Sequence, residues 1–349
     1  MMSLGSTVRL ATGCAAAMLL ATAVAAQSPP PVTPEADRRG PEQTFLTVPE
    51  WFLVHSPAEY AEFLRSRPPS EFPYFGHIGQ FWQTYAAVYG ATKDEYPFNG
   101  GYHVMVSVIG TSTTAEYGLK SAYETLVGRL TELTVNGGTT EEDAFATRVA
   151  GDYVDFIRIA PWYEYDFALR LRELWETSLW GPNPLRKWER KYALTTEYAA
   201  KAIYGWVIKK LTKLSYDEPL PVTAVLLDRL PPLSHPEVPE LSVLEQRPDG
   251  SVLVSVPRYQ PFTHYASVLA REGATFLEIA GNRGEIVVSA LVPTGWAPER
   301  PGYRIFLTQP ILTQPDKQRV VFAVPVASLA QALNALARPP ARIEHIYDF

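Results

Sequence analysis

Cysteine is almost absent from this chain of 349 residues, in which Cys14 is the only one. A single cysteine cannot form an intrachain disulfide, so the fold must be stabilised by its core alone. Cysteine-based zinc sites and c-type haem attachment are excluded as well, because both need more than one cysteine. If the segment that carries Cys14 is removed, as predicted below, thiolate nucleophiles are excluded too.

An excess of basic residues is also lacking, since 31 Lys and Arg face 37 Asp and Glu and give a net charge of −6. This mild acidity argues against nucleic acid as a partner. Sequence motifs that identify a reaction are missing: a serine elbow, a phosphate-binding loop, a dinucleotide fingerprint and H-E-x-x-H. The sequence therefore names neither a reaction nor a cofactor, and it leaves the oligomeric state open.

Long apolar runs are missing from the body of the chain, and the clearest one lies at the N-terminus. Arg9 is the only charge before it, and residues 10–26 are rich in Ala and Leu and end in Val-Ala-Ala before Gln27. This layout predicts a secretory signal at residues 1–26. The run is shorter than the roughly 20 residues of a comfortable transmembrane helix. Cleavage near Ala26 is therefore favoured over an N-terminal anchor, and we expect an exported, periplasmic or envelope-associated protein.

Proline and the hydrophobic period divide the rest of the chain. Residues 27–42 are Pro-rich and polar, as expected of a tether, and residues 216–240 are Pro-rich, as expected of a linker. Apolar residues at helical spacing predict an aromatic-rich helical domain at 43–215. Residues 241–349 alternate with strand period and predict a small α+β domain.

Local signals define several elements within these domains. Ser56-Pro57-Ala58-Glu59 is a capping box and predicts that a helix begins there. Thr139-Thr140-Glu141-Glu142 predicts the start of another helix, which should end before Pro161. In the C-terminal part the predicted order is β-α-β-β and then β-β-α-β, which resembles a ferredoxin-like α+β sandwich with an inserted hairpin. The fold class is therefore α+β.

Residues 185–213 have the most unusual composition, with eight basic and two acidic residues in an acidic protein. Aromatic residues recur there at helical spacing, and a basic amphipathic helix with Trp and Tyr can lie in a lipid headgroup layer. The favoured interpretation of this helix is nevertheless that the aromatic side chains pack on the domain while the lysines are solvated. The predicted contacts with a ligand or a membrane are Trp188, Tyr192, Trp206, Lys209, Lys210 and Lys213.

The histidines offer a second candidate site. His77 lies between two glycines, His103 begins the next helical segment, and Glu116 follows on it. A metal site in a helical bundle needs carboxylate and His at i, i+3 or i+4, and this spacing is absent. Histidines hydrogen-bonded inside an aromatic core are therefore the favoured interpretation, and a metal site formed by His77, His103 and Glu116 is the alternative.

These observations favour an exported, non-catalytic binding or scaffold protein of the bacterial cell envelope. Its aromatic and basic helical domain would contact a membrane surface, an apolar ligand or an envelope protein. The alternative function is a metal- or cofactor-dependent enzyme centred on His77 and His103.

Overall fold

The structure is a computed structural model that describes residues 30–215, 221–232, 237–296 and 302–348, without the side chains of residues 211–215. Residues Pro31–Phe349 form one compact unit. The predicted signal at residues 1–26, with Cys14, lies outside the described residues. Within the described ranges, no helix is both long enough and apolar enough to cross a membrane.

The first half of the described chain is helical. Helix α4 continues through one π-helical turn at Glu124–Gly128 into α5. The helices are α1 (Gln43–Leu46), α2 (Phe52–Phe63), α3 (Tyr74–Thr92), α4 (Gly100–Tyr123), α5 (Arg129–Glu132), α6 (Glu141–Ile157), α7 (Phe167–Glu176) and α8 (Pro184–Ser215).

The two capping boxes have different outcomes. A helix, α6, begins at the box of residues 139–142 as predicted, and its N-cap is Thr140, whose hydroxyl accepts a hydrogen bond from the backbone N–H of Asp143. The prediction for Ser56 is wrong, because α2 begins at Phe52 and contains Pro57 in its interior. The Ser56 hydroxyl is instead bonded to two side chains of neighbouring helices, as described below.

The second half forms two antiparallel sheets, so the α+β class is confirmed. The strand orders are β2-β3-β1-β4 in the first sheet and β6-β7-β5-β8 in the second. The strands are β1 (Val222–Leu227), β2 (Ser242–Gln246), β3 (Val252–Pro257), β4 (Phe276–Ile279), β5 (Glu285–Pro293), β6 (Arg304–Ile311), β7 (Gln314–Pro325) and β8 (Arg342–Tyr347). Helix α9 (Gln260–Arg271) precedes β4, and α10 (Leu329–Leu336) precedes β8.

The two sheets are copies of one structural unit. Each has the chain order β-β-β-α-β, and the strand order of the first sheet becomes that of the second when four is added to each number. The third strand of each unit ends in Val-Pro directly before the helical segment, at Pro257 and Pro325, where proline cannot continue the ladder. The expected ferredoxin-like sandwich is not confirmed, because the strands form two sheets.

Strand β1 was missed because it lies inside the predicted linker at 216–240. Its sequence, Val-Thr-Ala-Val-Leu-Leu, is buried except at Val222. β1 pairs with both β3 and β4 and is therefore an inner strand of the first sheet. The prolines on either side of β1 concealed a short strand that is apolar except for Thr223, as a buried position favours.

The helical and strand regions share part of their interior. Phe45, Phe81 and Val106 from the helices pack in one apolar cluster with Val321 and Tyr347 from the second sheet. The two β-β-β-α-β units share a separate cluster that includes α9 and α10. How the chain divides into independently folding domains stays a prediction.

The segment predicted as a tether contacts the first sheet. The carboxylate of Glu278, which is fully buried on β4, accepts hydrogen bonds from the backbone N–H of Val32 at 2.7 Å and of Thr33 at 3.3 Å. The backbone N–H of Arg39 donates to the carbonyl of Ala280 at 2.9 Å. Residues 32–39 therefore have a fixed position in the described structure.

Candidate functional site

A large cleft lies among α2, α4, α6 and α8. Its volume is about 970 Å³, and a second cavity of about 470 Å³ lies among the same helices. Apolar and aromatic side chains supply most of the wall of the second cavity, whereas charged side chains also line much of the large cleft. Tyr60, Leu64 and Leu194 line both cavities. Concave sites of this size and polarity are typical of small-molecule binding.

Four charged side chains form a closed ring in the wall that the two cavities share, and we call them the Lys-Glu ring: Glu116, Lys120, Glu197 and Lys201. Lys120 Nζ lies 3.3 Å from Glu116 Oε1 and 2.8 Å from Glu197 Oε1. Lys201 Nζ lies 3.1 Å from Glu116 Oε1 and 2.9 Å from Glu197 Oε1. Each ammonium group therefore bridges both carboxylates, and the ring has no net charge.

The ring exists because α4 and α8 run side by side in opposite directions. Each helix carries the same short sequence, Glu-Tyr-x-x-Lys, at 116–120 on α4 and at 197–201 on α8. Glu and Lys at i, i+4 lie on one face of a helix. Two antiparallel copies place each lysine opposite the glutamate of the other helix. This repeat was present in the sequence and could have revealed the site.

The tyrosine of each copy is buried below the ring. Tyr117 and Tyr198 are both less than a tenth exposed. Tyr198 packs with Phe145 and Phe167 in an aromatic cluster, whereas the Tyr117 hydroxyl lies 2.7 Å from Ser56 Oγ. The two tyrosines therefore fix α8 and α4 to their neighbours and set the position of the ring.

Electrostatics keep all four groups of the ring charged. Burial raises the pKa of Glu116, but the ammonium groups of Lys201 and Lys120 lower it by more, so the pKa lies below its usual value. The pKa of Glu197 is lowered well below its usual range for the same reason. Burial lowers the pKa of Lys120 and Lys201, but the two carboxylates raise both pKa values well above the usual range.

Aromatic rings cover the outer side of the lysines. Lys120 Nζ lies 5.5 Å from the centre of the Tyr60 ring. Lys201 Nζ lies 5.6 Å from that of Tyr153 and 5.5 Å from that of Phe167. These distances permit cation–π attraction. On the side of the second cavity, the charged ring is therefore surrounded by apolar and aromatic side chains.

The aromatic residues predicted as contacts are exposed on α8. Trp188 is 39% exposed, Tyr192 65% and Trp206 63%, and Tyr192 also lines the large cleft. Lys209 pairs with Glu164, and Lys210 Nζ lies 5.9 Å from the centre of the Trp206 ring. The side chain of Lys213 is not among those that the structure describes.

The other basic residues of α8 are not solvated, contrary to the expectation from composition. Arg186, Lys187, Arg190 and Lys191 are buried. Arg190 Nη1 lies 2.9 Å from Glu124 Oε1, and Lys187 Nζ lies 2.9 Å from Glu142 Oε1. All four basic side chains face acidic side chains that come from other elements of the fold. Half of the basic residues in the 185–213 segment are therefore buried in ion pairs inside the fold and are not free to contact a membrane.

The three residues of the alternative metal site have separate partners. His77 is fully buried and contacts Ser56 through Nδ1 at 2.9 Å, whereas His103 Nδ1 lies 2.8 Å from the Tyr85 hydroxyl. Glu116 belongs to the Lys-Glu ring. Among the described residues there is no group of three or more His, Cys, Asp or Glu side chains arranged to hold a metal ion.

Near the cleft, Ser56, His77 and Glu59 form a chain of polar contacts that has the composition of a nucleophile, a base and an acid. His77 Nε2 lies 3.6 Å from Glu59 Oε2, and burial lowers the pKa of His77 to about 3. A nucleophile must reach its substrate, and Ser56 is only 1% exposed and lies behind Tyr117. This chain therefore has the character of a polar link within the core.

Glycines determine how closely the neighbouring helices approach. A Cβ atom on Gly110 of α4 would lie 2.4 Å from the Phe81 ring and 2.7 Å from the Trp82 ring, so α3 and α4 could not pack as they do. The two glycines on either side of His77 differ from each other in the space around them. A Cβ atom on Gly76 would lie 2.6 Å from Leu312, and one on Gly79 would contact nothing within 4 Å.

Comparison with known proteins adds no functional information: no protein-family model, no curated protein and no solved structure matches this chain.

Proposed function

We propose that this is an exported, non-catalytic binding protein of the bacterial cell envelope, which holds an apolar or amphiphilic ligand in the cleft among α2, α4, α6 and α8. The observation that carries the proposal is the cavity of about 470 Å³ beside the large cleft: apolar and aromatic side chains form most of its wall, and among its described lining residues the four of the Lys-Glu ring are the charged ones. A binding site needs this combination, because the apolar wall supplies affinity and a few polar groups fix the orientation.

The chemistry of the ring favours binding over catalysis. A general acid or base works best when its pKa is near the working pH. Opposite charges hold the four groups of the ring far from that range, and each charge is already paired. The alternative of a metal- or cofactor-dependent enzyme at His77 and His103 has less support, because the two side chains have different partners and His77 is fully buried.

The proposal is tested by filling the cleft. Ala146 on α6 lines both cavities, so Ala146→Trp should reduce binding of the uncharged fluorescent probe N-phenyl-1-naphthylamine by at least about tenfold. Ala168→Trp on α7 is the matched control, because Ala168 is exposed and lines neither cavity. If the wild-type protein does not bind the probe, or if both variants bind it as the wild type does, the proposal fails.

A second candidate function is contact with a membrane surface, and a separate observation favours it. Between residues 100 and 133, which cover α4 and α5, Arg129 is the only charged residue that is exposed. The exposed large apolar side chains of this stretch are Val104, Met105, Val108, Leu119, Leu126, Val127, Leu130 and Leu133. Extended apolar surfaces mark sites of association, and exposed Trp residues such as Trp206 favour a lipid interface.

Flotation with anionic phospholipid vesicles tests this second function. Leu126→Glu with Leu130→Glu should abolish co-flotation, because two charges would have to enter the apolar layer. Leu244→Glu, on the exposed strand β2, should leave it unchanged. Replacement of Lys209, Lys210 and Lys213 by Glu tests the predicted basic contact. Equal flotation of all these variants and the wild type would exclude the membrane function.

A further inference from the structure

The proposed function leaves the polar part of the ligand undefined, and the Lys-Glu ring constrains it. We infer that the ligand carries an uncharged polar group that both donates and accepts hydrogen bonds, such as a hydroxyl or a primary amide, and that this group binds at the ring. The inference rests on the proposed function, since it concerns the ligand of the same cleft.

The first argument is charge balance. Two ammonium groups and two carboxylates alternate around the ring, and the four nitrogen–oxygen distances lie between 2.8 and 3.3 Å. An anionic headgroup would have to compete with a glutamate for a lysine, and a cationic headgroup would have to compete with a lysine for a glutamate. Either one leaves a charge of the ring without its partner beside the mainly apolar second cavity, which is costly.

The second argument concerns the hydrogen-bonding capacity that remains in the ring. Both lysines contact Oε1 of Glu116 and Oε1 of Glu197, and no described residue donates a hydrogen bond to either Oε2 atom. Each ammonium group has three N–H donors and contacts two carboxylates. A hydroxyl or an amide can accept from a lysine and donate to an Oε2 atom without displacing any member of the ring.

The third argument is position. All four side chains line both the large cleft and the second cavity. A headgroup at the ring therefore has the mainly apolar wall of the second cavity on one side for its chain, and Leu64 and Ala146 are again common to both cavities. A ligand with one uncharged polar group and an aliphatic chain matches this distribution of polar and apolar surface.

Three amphiphiles with the same chain length test the inference. Monolaurin, laurate and dodecylammonium should compete with N-phenyl-1-naphthylamine on the full chain at neutral pH. We expect monolaurin to displace the probe at a concentration about tenfold lower than either charged compound. A preference of similar size for laurate or for dodecylammonium would overturn the inference while leaving the proposed function intact.

Charge variants of the ring make the test specific. Glu197→Gln gives the ring a net positive charge and should shift the preference towards laurate. Lys120→Gln gives it a net negative charge and should shift the preference towards dodecylammonium. The double variant restores neutrality and should again prefer monolaurin. If the ring only stabilised the fold, these substitutions would not reverse the preference for one ligand charge over the other. Thermal unfolding of each variant verifies that it is folded.

The two failures are distinguishable. If the wild-type protein binds neither the probe nor any amphiphile, the proposed function itself is wrong. If all three amphiphiles bind equally well to the wild type and to both single variants, the cleft is an apolar site that does not use the ring, and the inference alone is wrong.

Discussion

Replacement of Arg319 tests how the helical region is attached to the second sheet. Arg319 on β7 is buried, and its guanidinium contacts Glu59 on α2 at 3.0 Å and Glu344 on β8 at 2.5 Å. Burial raises the pKa of Glu344, but Arg319 lowers it more, and the pKa falls from 4.5 to about 2. This difference corresponds to about 3 kcal/mol of folding free energy at neutral pH.

We therefore expect Arg319→Met to lower the free energy of unfolding by about 3 kcal/mol at pH 7. The penalty should become smaller at low pH. A carboxylate whose pKa is depressed in the folded state stabilises the wild type above 4.5, and this contribution is lost as the pH falls towards 2. In the variant the buried carboxyl group lacks the guanidinium, so protonation relieves the defect.

Urea unfolding followed by tryptophan fluorescence at pH 7 and pH 4 measures both effects. Arg65→Met is the matched control, because the Arg65–Glu62 pair at 2.9 Å is largely exposed and should contribute less than about 0.5 kcal/mol. If Arg319→Met costs no more than this control, or if its cost is the same at both pH values, the account of the buried ion pairs is wrong.

Two further tests concern buried histidine and helix packing. Burial lowers the pKa of His77 to about 3, so the unfolded chain binds a proton below about pH 6.5 that the folded chain does not. As the pH is lowered from 6.5 towards 3, the free energy of unfolding should therefore fall by up to about 1.4 kcal/mol per pH unit because of this group. His77→Gln should reduce this dependence on pH in urea unfolding. An unchanged dependence would contradict the assignment. Gly110→Ala should destabilise the protein by about 1–3 kcal/mol, because the new Cβ atom meets two aromatic rings. Gly118→Ala on the same helix meets nothing within 4 Å and should raise the midpoint of thermal unfolding; shifts of the same sign in both variants would refute the packing at Gly110.

Much of the local structure followed from the sequence. The strand period of residues 241–349 predicted the strands of that region, and the capping box at 139–142 predicted the start of α6. These signals are local, because a cap or a strand period acts through neighbours in the chain. The same reasoning failed at Ser56, where the local capping pattern is overridden: the chain is already helical from Phe52, and the hydroxyl bonds to His77 and Tyr117.

The candidate site followed from the sequence only in part. The unusual composition of residues 185–213 drew attention to α8, and Trp188, Tyr192 and Trp206 are exposed there. Composition could not separate the lysines of α8 into two groups. Lys187 and Lys191 are buried against Glu142, whereas Lys201 belongs to the ring in the cleft, because acidic side chains from other helices decide where each cation lies.

The sequence by itself determined the α+β class, the absence of a disulfide, the position of most helices and strands, and the charge-rich composition of α8. Only the tertiary structure decided that the strands form two copies of one β-β-β-α-β unit and that α4 and α8 lie antiparallel. The Lys-Glu ring depends on that second arrangement. Each Glu-Tyr-x-x-Lys segment is an ordinary helical pair on its own. The ring arises when packing brings Glu116 within 3.1 Å of Lys201, a contact between residues 85 positions apart in the sequence.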